Sequence, residues 1–214
     1  IPVPAPDGAQ PLREPVQPLG DRAAVEGVRA VLGLDGGVVA AHRGHTATRL
    51  DDGTVLVAGG AKSGTSSVEE LYNPQTRQWA ATGKMSTVRN DHVAVLLANG
   101  QVLVAGGGTG DTSGGALASA ELYNPSTRTW SPTGSMLTAR RSPALTVLQD
   151  GQVLVTGGIG TDGTPQAAAE LYSPNTGTWT SVGSLSTGRT GHSATRLPSG
   201  KVLVAGGQTK NTAL

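Results

Sequence analysis

Three arginines occupy corresponding positions in the sequence, and their side chains could form an anion-binding site. A guanidinium group donates two parallel hydrogen bonds to a carboxylate or phosphate, so three of them on one surface could clamp an acidic ligand. Each arginine also follows a glutamate by 19 residues, which indicates a structural ion pair within each repeated segment. The structural interpretation is favoured, because charges that recur with a repeat usually belong to its scaffold. The three pairs are Glu70 with Arg89, Glu121 with Arg140, and Glu170 with Arg189.

The histidines form a second candidate group, in this case for metal binding. Neutral imidazole is a common metal ligand, and most of the histidines begin corresponding segments of the chain, so they could converge. Their spacing matches no metal-binding motif, and a hydrogen-bonded structural histidine is the favoured alternative. The sequence therefore predicts no metal site and no cofactor. The histidines are His42, His45, His92 and His192, and the last three begin those segments.

Three aspartates do not follow the repeat and are the remaining candidates for ligand binding: Asp91, Asp111 and Asp162. A loop aspartate is more often simply solvated, and that alternative stays open for each of them. The predicted ligand-binding set consists of these aspartates, the three arginines, and the histidines other than His42. No catalytic residue is predicted, because the chain has neither a Gly-x-Ser-x-Gly nucleophile motif nor a recurring pair of carboxylates.

The overall composition disfavours several classes of partner. The net charge is +1 and no run of lysine or arginine occurs, so the sequence offers no electrostatic basis for binding nucleic acid. No window approaches roughly eighteen consecutive apolar residues, so no membrane-spanning helix is predicted. The absence of cysteine removes disulfides, thiolate nucleophiles and cysteine-ligated metals.

An internal repeat determines the elements that must position these side chains. The sequence VLVAGG occurs at residues 55–60, 102–107 and 202–207, and VLVTGG occurs at 153–158. Between these segments, ELY occurs three times, with a tryptophan seven residues after the tyrosine. Alternating apolar residues and turn pairs divide each unit into four short strands. Four antiparallel strands repeated at about 50 residues predict an all-β fold, a β-propeller of four-stranded antiparallel blades.

The number of repeats predicts four blades, one of them shared between the two ends of the chain. The last VLVAGG has no ELY strand after it, but residues 21–42 align without gaps with the outer half of a blade. In this alignment Val25 and Leu32 take the tyrosine and tryptophan positions. Two alternatives remain: residues 1–41 are a linker to three and a half blades of something larger, or two chains pair into a larger ring. The predicted units are a proline-rich extended tail at 1–20 and a propeller at 21–214, with blades at about 43–89, 90–140 and 141–189 and a split blade at 190–209 plus 21–42.

The loops on one face of this propeller are predicted to bind the ligand. Antiparallel strand order places the second-to-third and the fourth-to-first connections of the blades on the same face. The second-to-third loops vary in length and sequence, whereas the turns on the opposite face are short and stereotyped. Binding residues concentrate on loops held by a rigid scaffold, although tolerated drift between repeats would give the same variation. The predicted function is a non-catalytic binding module whose partner is a protein or a glycan.

These residues resemble the kelch repeat family, which has a Gly-Gly doublet, a tyrosine and a tryptophan with six residues between them, and an arginine after the tryptophan strand. The resemblance covers roughly residues 42–207. It implies a β-propeller, although kelch propellers usually have more blades than this chain supplies. The segments VLVAGG and ELYNP resemble repeats of secreted bacterial proteins, and this resemblance implies an extracytoplasmic or secreted location.

The family resemblance also implies the alternatives to a binding module. Kelch-like propellers include copper radical oxidases, whose pattern needs a cysteine that this chain lacks. They also include sugar mutarotases, whose activity would use arginine and acidic groups at the mouth of the channel. A mutarotase-like enzyme is therefore one alternative. A structural or surface component that assembles into a homo-oligomer is the other.

Overall fold

Antiparallel β-strands are the regular elements in the part of the chain that the structure describes. The computed structural model describes residues 44–60, 69–110 and 115–210. Three sheets have four strands each, paired in chain order, and a fourth sheet has two. We call these sheets blades 1 to 4. The predicted all-β fold of four-stranded antiparallel blades is confirmed in blades 1 to 3.

The strands are short and follow the same order in every blade. Blade 1 contains β1 (Thr46–Arg49), β2 (Val55–Ala58), β3 (Glu70–Asn73) and β4 (Gln78–Ala81). Blade 2 contains β5 (Val93–Leu96), β6 (Val102–Ala105), β7 (Ala120–Asn124) and β8 (Thr129–Thr133). Blade 3 contains β9 (Ala144–Val147), β10 (Val153–Thr156), β11 (Ala168–Ser173) and β12 (Thr178–Ser184). Blade 4 contains β13 (Ser193–Arg196) and β14 (Val202–Ala205). None of the residues described forms a helix long and apolar enough to cross a membrane.

The Val-Leu-Val run forms the second strand of each blade. In blades 1 to 3 this strand pairs with another strand on each of its two edges. In blade 2, Val102 of β6 pairs with Leu96 of β5 on one edge and with Tyr123 of β7 on the other. All four residues of β6 are buried. A strand buried on both faces is apolar throughout rather than alternating, as this sequence is.

The glycine doublet after the second strand lets neighbouring backbone segments approach closely. Gly106 and Gly107 have φ of 68° and 95°, a region that glycine enters without steric cost. A Cβ added to Gly106 would lie 2.5 Å from the carbonyl oxygen of Arg140, and one added to Gly107 would lie 2.5 Å from that of Asn90. No residue with a side chain fits at either position.

Apolar side chains from two successive blades fill the junction between blades 1 and 2 and the junction between blades 2 and 3. Between blades 1 and 2, Leu56 and Leu71 pack with Val102, Val104 and Tyr123. A second cluster of the same type lies between blades 2 and 3. The first strands also contact one another in chain order, β1 with β5, β5 with β9, and β9 with β13. Among the described residues, β1 and β13 make no comparably extensive contact.

In blades 2 and 3, the tyrosine and the tryptophan bind the blade before their own. In blade 2 their ring centroids are 5.0 Å apart. The Tyr123 hydroxyl is 2.6 Å from Thr82 Oγ1, and Trp130 Nε1 donates to the carbonyl oxygen of Gly83 at 2.8 Å. The two aromatic residues, at their constant spacing, therefore contact the neighbouring blade rather than an external surface. In blade 3 the corresponding contacts are Tyr172 with Thr133 and Trp179 with Gly134, both at 2.8 Å.

Replacing Gly134 with alanine is expected to lower the free energy of unfolding by about 2 kcal/mol, because overpacking at a backbone contact forces the two blades apart. A Cβ at this position would lie 2.2 Å from the carbonyl oxygen of Gly177, in the β11–β12 turn of the next blade. Gly115 is the matched control, since a Cβ there meets no atom within 4 Å. Chemical denaturation of Gly134→Ala and Gly115→Ala measures the difference. Equal stability of the two variants would contradict the packing of blade 2 on blade 3.

Blade 4 has only its first two strands among the described residues. Leu203 of β14 is 53% exposed, whereas the corresponding Leu103 of β6 is 0% exposed. The segment predicted to complete this blade, residues 21–42 with Val25 and Leu32, lies outside the described residues, as does the predicted tail at 1–20.

Candidate functional site

Arg89 is fully buried at the junction between blades 1 and 2. Its Nη2 donates to Glu121 Oε1 at 2.9 Å, and the side chains of both residues are almost wholly inaccessible. Its Nη1 donates to the carbonyl oxygens of Gly106 and Ser119 at 2.8 and 3.0 Å. The guanidinium is therefore bound by blade 2, whereas the backbone of Arg89 belongs to the connection from blade 1 to blade 2.

The predicted pairing of each arginine with the glutamate 19 residues before it is wrong. Arg89 pairs with Glu121 of blade 2 instead of Glu70 of blade 1, and Arg140 pairs with Glu170 of blade 3. The reason lies in the connection from the fourth strand of one blade to the first strand of the next. That connection carries the arginine beyond its own blade and places the guanidinium against the third strand of the following one.

The carboxylates of these pairs also accept backbone hydrogen bonds, which fixes their position. Glu170 accepts from the amides of Leu137 and Thr138 at 2.6 and 3.0 Å, and from Arg140 Nη2 at 2.6 Å. Burial lowers the pKa of the Arg140 guanidinium from its ordinary value, and the neighbouring Glu170 opposes that shift. The same balance holds for Arg89 beside its own glutamate. These two arginines are partners in buried ion pairs.

Arg189 keeps only part of this arrangement. Its Nη1 donates to the carbonyl oxygen of Gly206 at 2.9 Å, as Arg89 Nη1 does to Gly106. The residue is partly exposed, and no carboxylate of the described residues forms an ion pair with it. Of the three predicted arginines, Arg189 is thus the one with donors still available.

His92 is a buried residue at the junction between blades 1 and 2. Its Nε2 is 2.9 Å from Thr46 Oγ1, and its ring lies where a Cβ on Gly59 would otherwise be. Burial lowers the pKa of His92 to about 3, with smaller contributions from Arg89 and His45. The imidazole is therefore neutral at pH 7 and acts as a polar packing group.

His192 takes the same role between blades 3 and 4. Its Nε2 is 2.9 Å from Thr156 Oγ1, and burial, followed by the charge of Arg189, lowers its pKa to about 4. His45, at the start of blade 1, is partly exposed. In the part of the chain that is described, no group of three or more histidine, aspartate or glutamate side chains could hold a metal ion.

Two of the predicted aspartates are exposed on the loop face, and their environments differ. The hydroxyl and the amide of Thr164 donate to the Asp162 carboxylate at 2.7 and 2.9 Å, and these bonds lower the pKa of Asp162. Asp162 therefore stabilises its own turn. Asp91 has φ of 51°, and its carboxylate accepts no hydrogen bond from the residues described. Asp111 lies outside the described residues.

Backbone pairing beyond the ends of the strands holds the loop face in place. In blade 2, Asn90 pairs with Gly108, which pairs in turn with Ala116. In blades 2, 3 and 4 the first of these pairings begins at the residue after one of the recurring arginines. Sequence reasoning missed these positions, although the change of residue type immediately after an otherwise constant arginine is a signal that could have found them. The corresponding pairings join Arg141 with Ile159, Ile159 with Pro165, and Thr190 with Gln208.

A residue two positions before each first strand lies on the loop face, and we call these four residues, Gly44, Asp91, Ser142 and Gly191, the link residues. All four have positive φ, of 68°, 51°, 49° and 65° in that order. The amide of Asp91 donates to the carbonyl oxygen of Gly44 at 2.8 Å, and that of Ser142 donates to the carbonyl oxygen of Asp91 at 2.7 Å. The two link residues that have side chains are thus held rigidly by their neighbours.

Comparison with known families identifies the repeat. Residues 91–137 and 140–186 each match the family profile of the Kelch motif. The two matched segments are kelch repeats. No curated protein gives a significant match to the chain. The two matched segments contain all four strands of blade 2 and all four strands of blade 3.

The recurring residues of these kelch repeats are accounted for by the junctions between blades. The glycine doublet, the tyrosine, the tryptophan, the arginine and the glutamate all contact a neighbouring blade. The residues that differ between kelch repeats are left on the loop face. There the link residues Asp91 and Ser142 supply a carboxylate and a hydroxyl, and Arg141 precedes Ser142. Such a set can form hydrogen bonds and ion pairs with a polar ligand, and it contains no arrangement of nucleophile and base.

Proposed function

We propose that this chain is a non-catalytic binding module that recognises a protein or a glycan through the link residues and the adjacent loops of one face. Kelch repeats are interaction modules in general. The observation that supports the specific surface is the conformation of Asp91, which is exposed and strained and whose carboxylate accepts no hydrogen bond from the residues that the structure describes.

The cost of that conformation suggests a role for the side chain. A residue other than glycine at φ near +50° costs of order 1 kcal/mol, and such strain concentrates at functional positions. Two of the link residues are Gly44 and Gly191, so the fold accepts glycine there at no such cost. In blades 2 and 3 the position holds Asp91 and Ser142 instead, with φ of 51° and 49°. No hydrogen bond to the Asp91 carboxylate within the described residues offsets its cost.

Replacing Asp91 with glycine is expected to raise the free energy of unfolding by about 0.5 kcal/mol and to weaken ligand binding at least about tenfold. The gain in stability comes from relief of the left-handed strain, and the loss of binding comes from removal of the carboxylate. Chemical denaturation measures the first effect. Screening on a glycan array and a displayed peptide library, followed by titration of the captured ligands, measures the second.

Asp51→Ala is the matched control, because Asp51 is exposed in the turn between β1 and β2 on the opposite face. It removes the same charge without touching the proposed surface. Ligands captured by the wild-type chain should bind this variant unchanged. Equal loss of binding in both variants, or none in Asp91→Gly, would contradict the proposed surface.

The enzyme alternative receives no support from the arrangement of the arginines. A mutarotase-like activity would need them at an open channel mouth, but Arg89 and Arg140 are both 0% exposed.

A further inference from the structure

A cavity of about 310 Å³ lies on the face opposite the link residues. It is formed where the β1–β2 and β3–β4 turns of blade 1 meet the β7–β8 turn of blade 2, and we call it the turn cavity. Its lining includes the apolar side chains of Leu50, Leu71 and Pro125 and the charged side chains of Asp52 and Arg128. The turn cavity therefore combines two opposite charges with an apolar surface, at a volume that suits a small ligand.

Asp52 has one carboxylate oxygen that its own turn does not use. The hydroxyl and the amide of Thr54 both donate to Oδ1 of Asp52, at 2.6 and 2.9 Å. These two bonds hold the pKa of Asp52 below its ordinary value, and the charge of Arg128 makes a smaller contribution. The carboxylate is therefore ionised at pH 7, and its Oδ2 accepts no hydrogen bond from another described residue.

Arg128 contributes the positive charge from a strained backbone position. Its φ is 57°, whereas the corresponding residue of blade 3 is Gly177, with φ of 67°. Both carbonyl oxygens accept from a glycine amide of the preceding blade, Arg128 from Gly83 at 3.1 Å and Gly177 from Gly134 at 3.0 Å. The turn thus needs a left-handed residue, which glycine supplies at no steric cost. A non-glycine residue at such a position is a sign of a role for its side chain.

The two charges line the same cavity without forming an ion pair with each other. Arg128 is exposed, and its guanidinium donates no hydrogen bond and forms no ion pair within the part of the chain that is described. The corresponding residues at the junction of blades 2 and 3 are Asn99 and Gly177, both uncharged. The pair of opposite charges is therefore specific to the turn cavity and is not a feature of the repeat.

The charges of the turn cavity select for a ligand that carries both signs. A simple anion would be attracted by Arg128 and repelled by Asp52, and a simple cation would experience the reverse. A zwitterion with its charges a few bonds apart can satisfy both groups together. A guanidinium donates two parallel hydrogen bonds to a carboxylate, and Oδ2 of Asp52 can accept from an ammonium group.

We propose that the turn cavity binds a free α-amino acid with an apolar side chain. The ligand carboxylate binds Arg128, its ammonium group binds Asp52, and its side chain packs against the apolar lining. This site lies on the opposite face from the link residues, so it does not depend on the function proposed for them.

Nuclear magnetic resonance titration of the full chain with L-leucine tests this proposal, together with two analogues that each lack one charge. N-acetyl-L-leucine keeps the carboxylate but has no ammonium group, and L-leucinamide keeps the ammonium group but has no carboxylate. L-leucine is expected to give saturable shifts of the amides around Thr54 and Arg128. Each analogue is expected to bind at least about tenfold more weakly, because it loses one charge-assisted hydrogen-bonded contact.

Two variants show which group of the ligand each residue binds. Asp52→Asn is expected to weaken binding of L-leucine at least about tenfold, but not to weaken binding of N-acetyl-L-leucine. Arg128→Gly is expected to weaken binding of L-leucine by a similar factor, but not to weaken binding of L-leucinamide. Both variants should keep the fold, since Asn99 accepts from the amide of Gln101 at 3.1 Å in the equivalent turn, and Gly177 occupies the position of Arg128 in blade 3.

Asp150→Asn and Arg77→Gly are the matched controls. Asp150 takes the position of Asp52 in blade 3, and Arg77 takes the position of Arg128 in blade 1, with φ of 60°. Neither residue lines the turn cavity, so both control variants should bind L-leucine as the wild-type chain does. Asp91→Gly should bind it equally well, because Asp91 lies on the loop face.

Any of three results would overturn the proposal. The first is the absence of saturable binding of L-leucine to the wild-type chain. The second is equal binding of L-leucine and either analogue, which would show that the missing charge is not recognised. The third is an equal effect of a variant on all three ligands, or an equal loss in the control variants, which would show that Asp52 and Arg128 do not contact the ligand. None of these results would bear on ligands of the loop face.

Discussion

Glu170→Ala is expected to lower the free energy of unfolding by about 3–5 kcal/mol, because it leaves a buried arginine without its counter-charge. Arg140 is 0% exposed, and its Nη2 lies 2.6 Å from Glu170. The amides of Leu137 and Thr138 lose the same acceptor. Urea denaturation, followed by tryptophan fluorescence and by circular dichroism, measures the change.

Arg189→Ala is the matched control for this experiment. Arg189 occupies the corresponding position but is partly exposed and has no ion-pair partner among the described residues, so its removal should cost less than about 1 kcal/mol. Replacing both members of the buried pair, as Arg140→Met with Glu170→Leu, should be much less damaging than Glu170→Ala alone. Equal effects of Glu170→Ala and Arg189→Ala would contradict the assignment of a buried pair.

The free energy of unfolding is also expected to fall as the pH is lowered from 7 to 5. The folded pKa is about 3 for His92 and about 4 for His192, whereas an unfolded histidine has a pKa of about 6.5. Because the unfolded chain binds these protons first, stability is greatest above pH 6.5 and is lost as the pH falls toward the folded pKa values. His92 should account for about 2 kcal/mol at pH 5, and the less deeply buried His192 for a smaller amount.

His92→Gln separates the protonation effect from packing. The amide can still hydrogen-bond Thr46 but cannot titrate, so the variant should lose a large part of the slope of stability against pH between 7 and 5. Denaturant unfolding at a series of pH values measures that slope. An unchanged slope in the variant would show that His92 is protonated in the folded chain.

The strand order and the aromatic contacts could be predicted because they depend on local patterns. The Val-Leu-Val run, the turn residues and the glycine doublet each specify a conformation within a few residues of the chain. Their recurrence at nearly constant spacing then fixes four-stranded blades. The equal spacing of Tyr123 from Trp130 and of Tyr172 from Trp179 reflects direct cross-strand pairing within a blade.

The partners across the junctions could not be read from spacing along the chain. Each recurring arginine follows a glutamate of its own repeat by 19 residues. Arg89 nevertheless binds Glu121, in the following blade. To choose between the two glutamates, one must know the path of the connection between blades, which no sequence pattern describes. The left-handed backbone conformation of Asp91 and Ser142 could not be predicted either, because no sequence rule assigns positive φ to these residue types.

The residues of the candidate site could not be predicted in full for the same reason, since packing between blades decides which of them reach the surface. Sequence reasoning placed the arginines, histidines and aspartates together because they fall on one face of each repeat. The structure separates them by depth: Arg89, Arg140, His92 and His192 lie inside the junctions, while Asp91 and Asp162 remain at the surface. Depth depends on how one blade packs on the next, which the pattern within a single blade does not contain.

The buried ion pairs between blades have a consequence for how the chain folds. Arg89 can lose its water only when Glu121 of the following blade is already in place, and Arg140 depends in the same way on Glu170. In an isolated repeat the arginine and the glutamate would therefore stay in water, each without the partner that a neighbouring blade supplies. Cooperativity resides in the junctions, so a single blade is not an independent folding unit even though its sequence repeats.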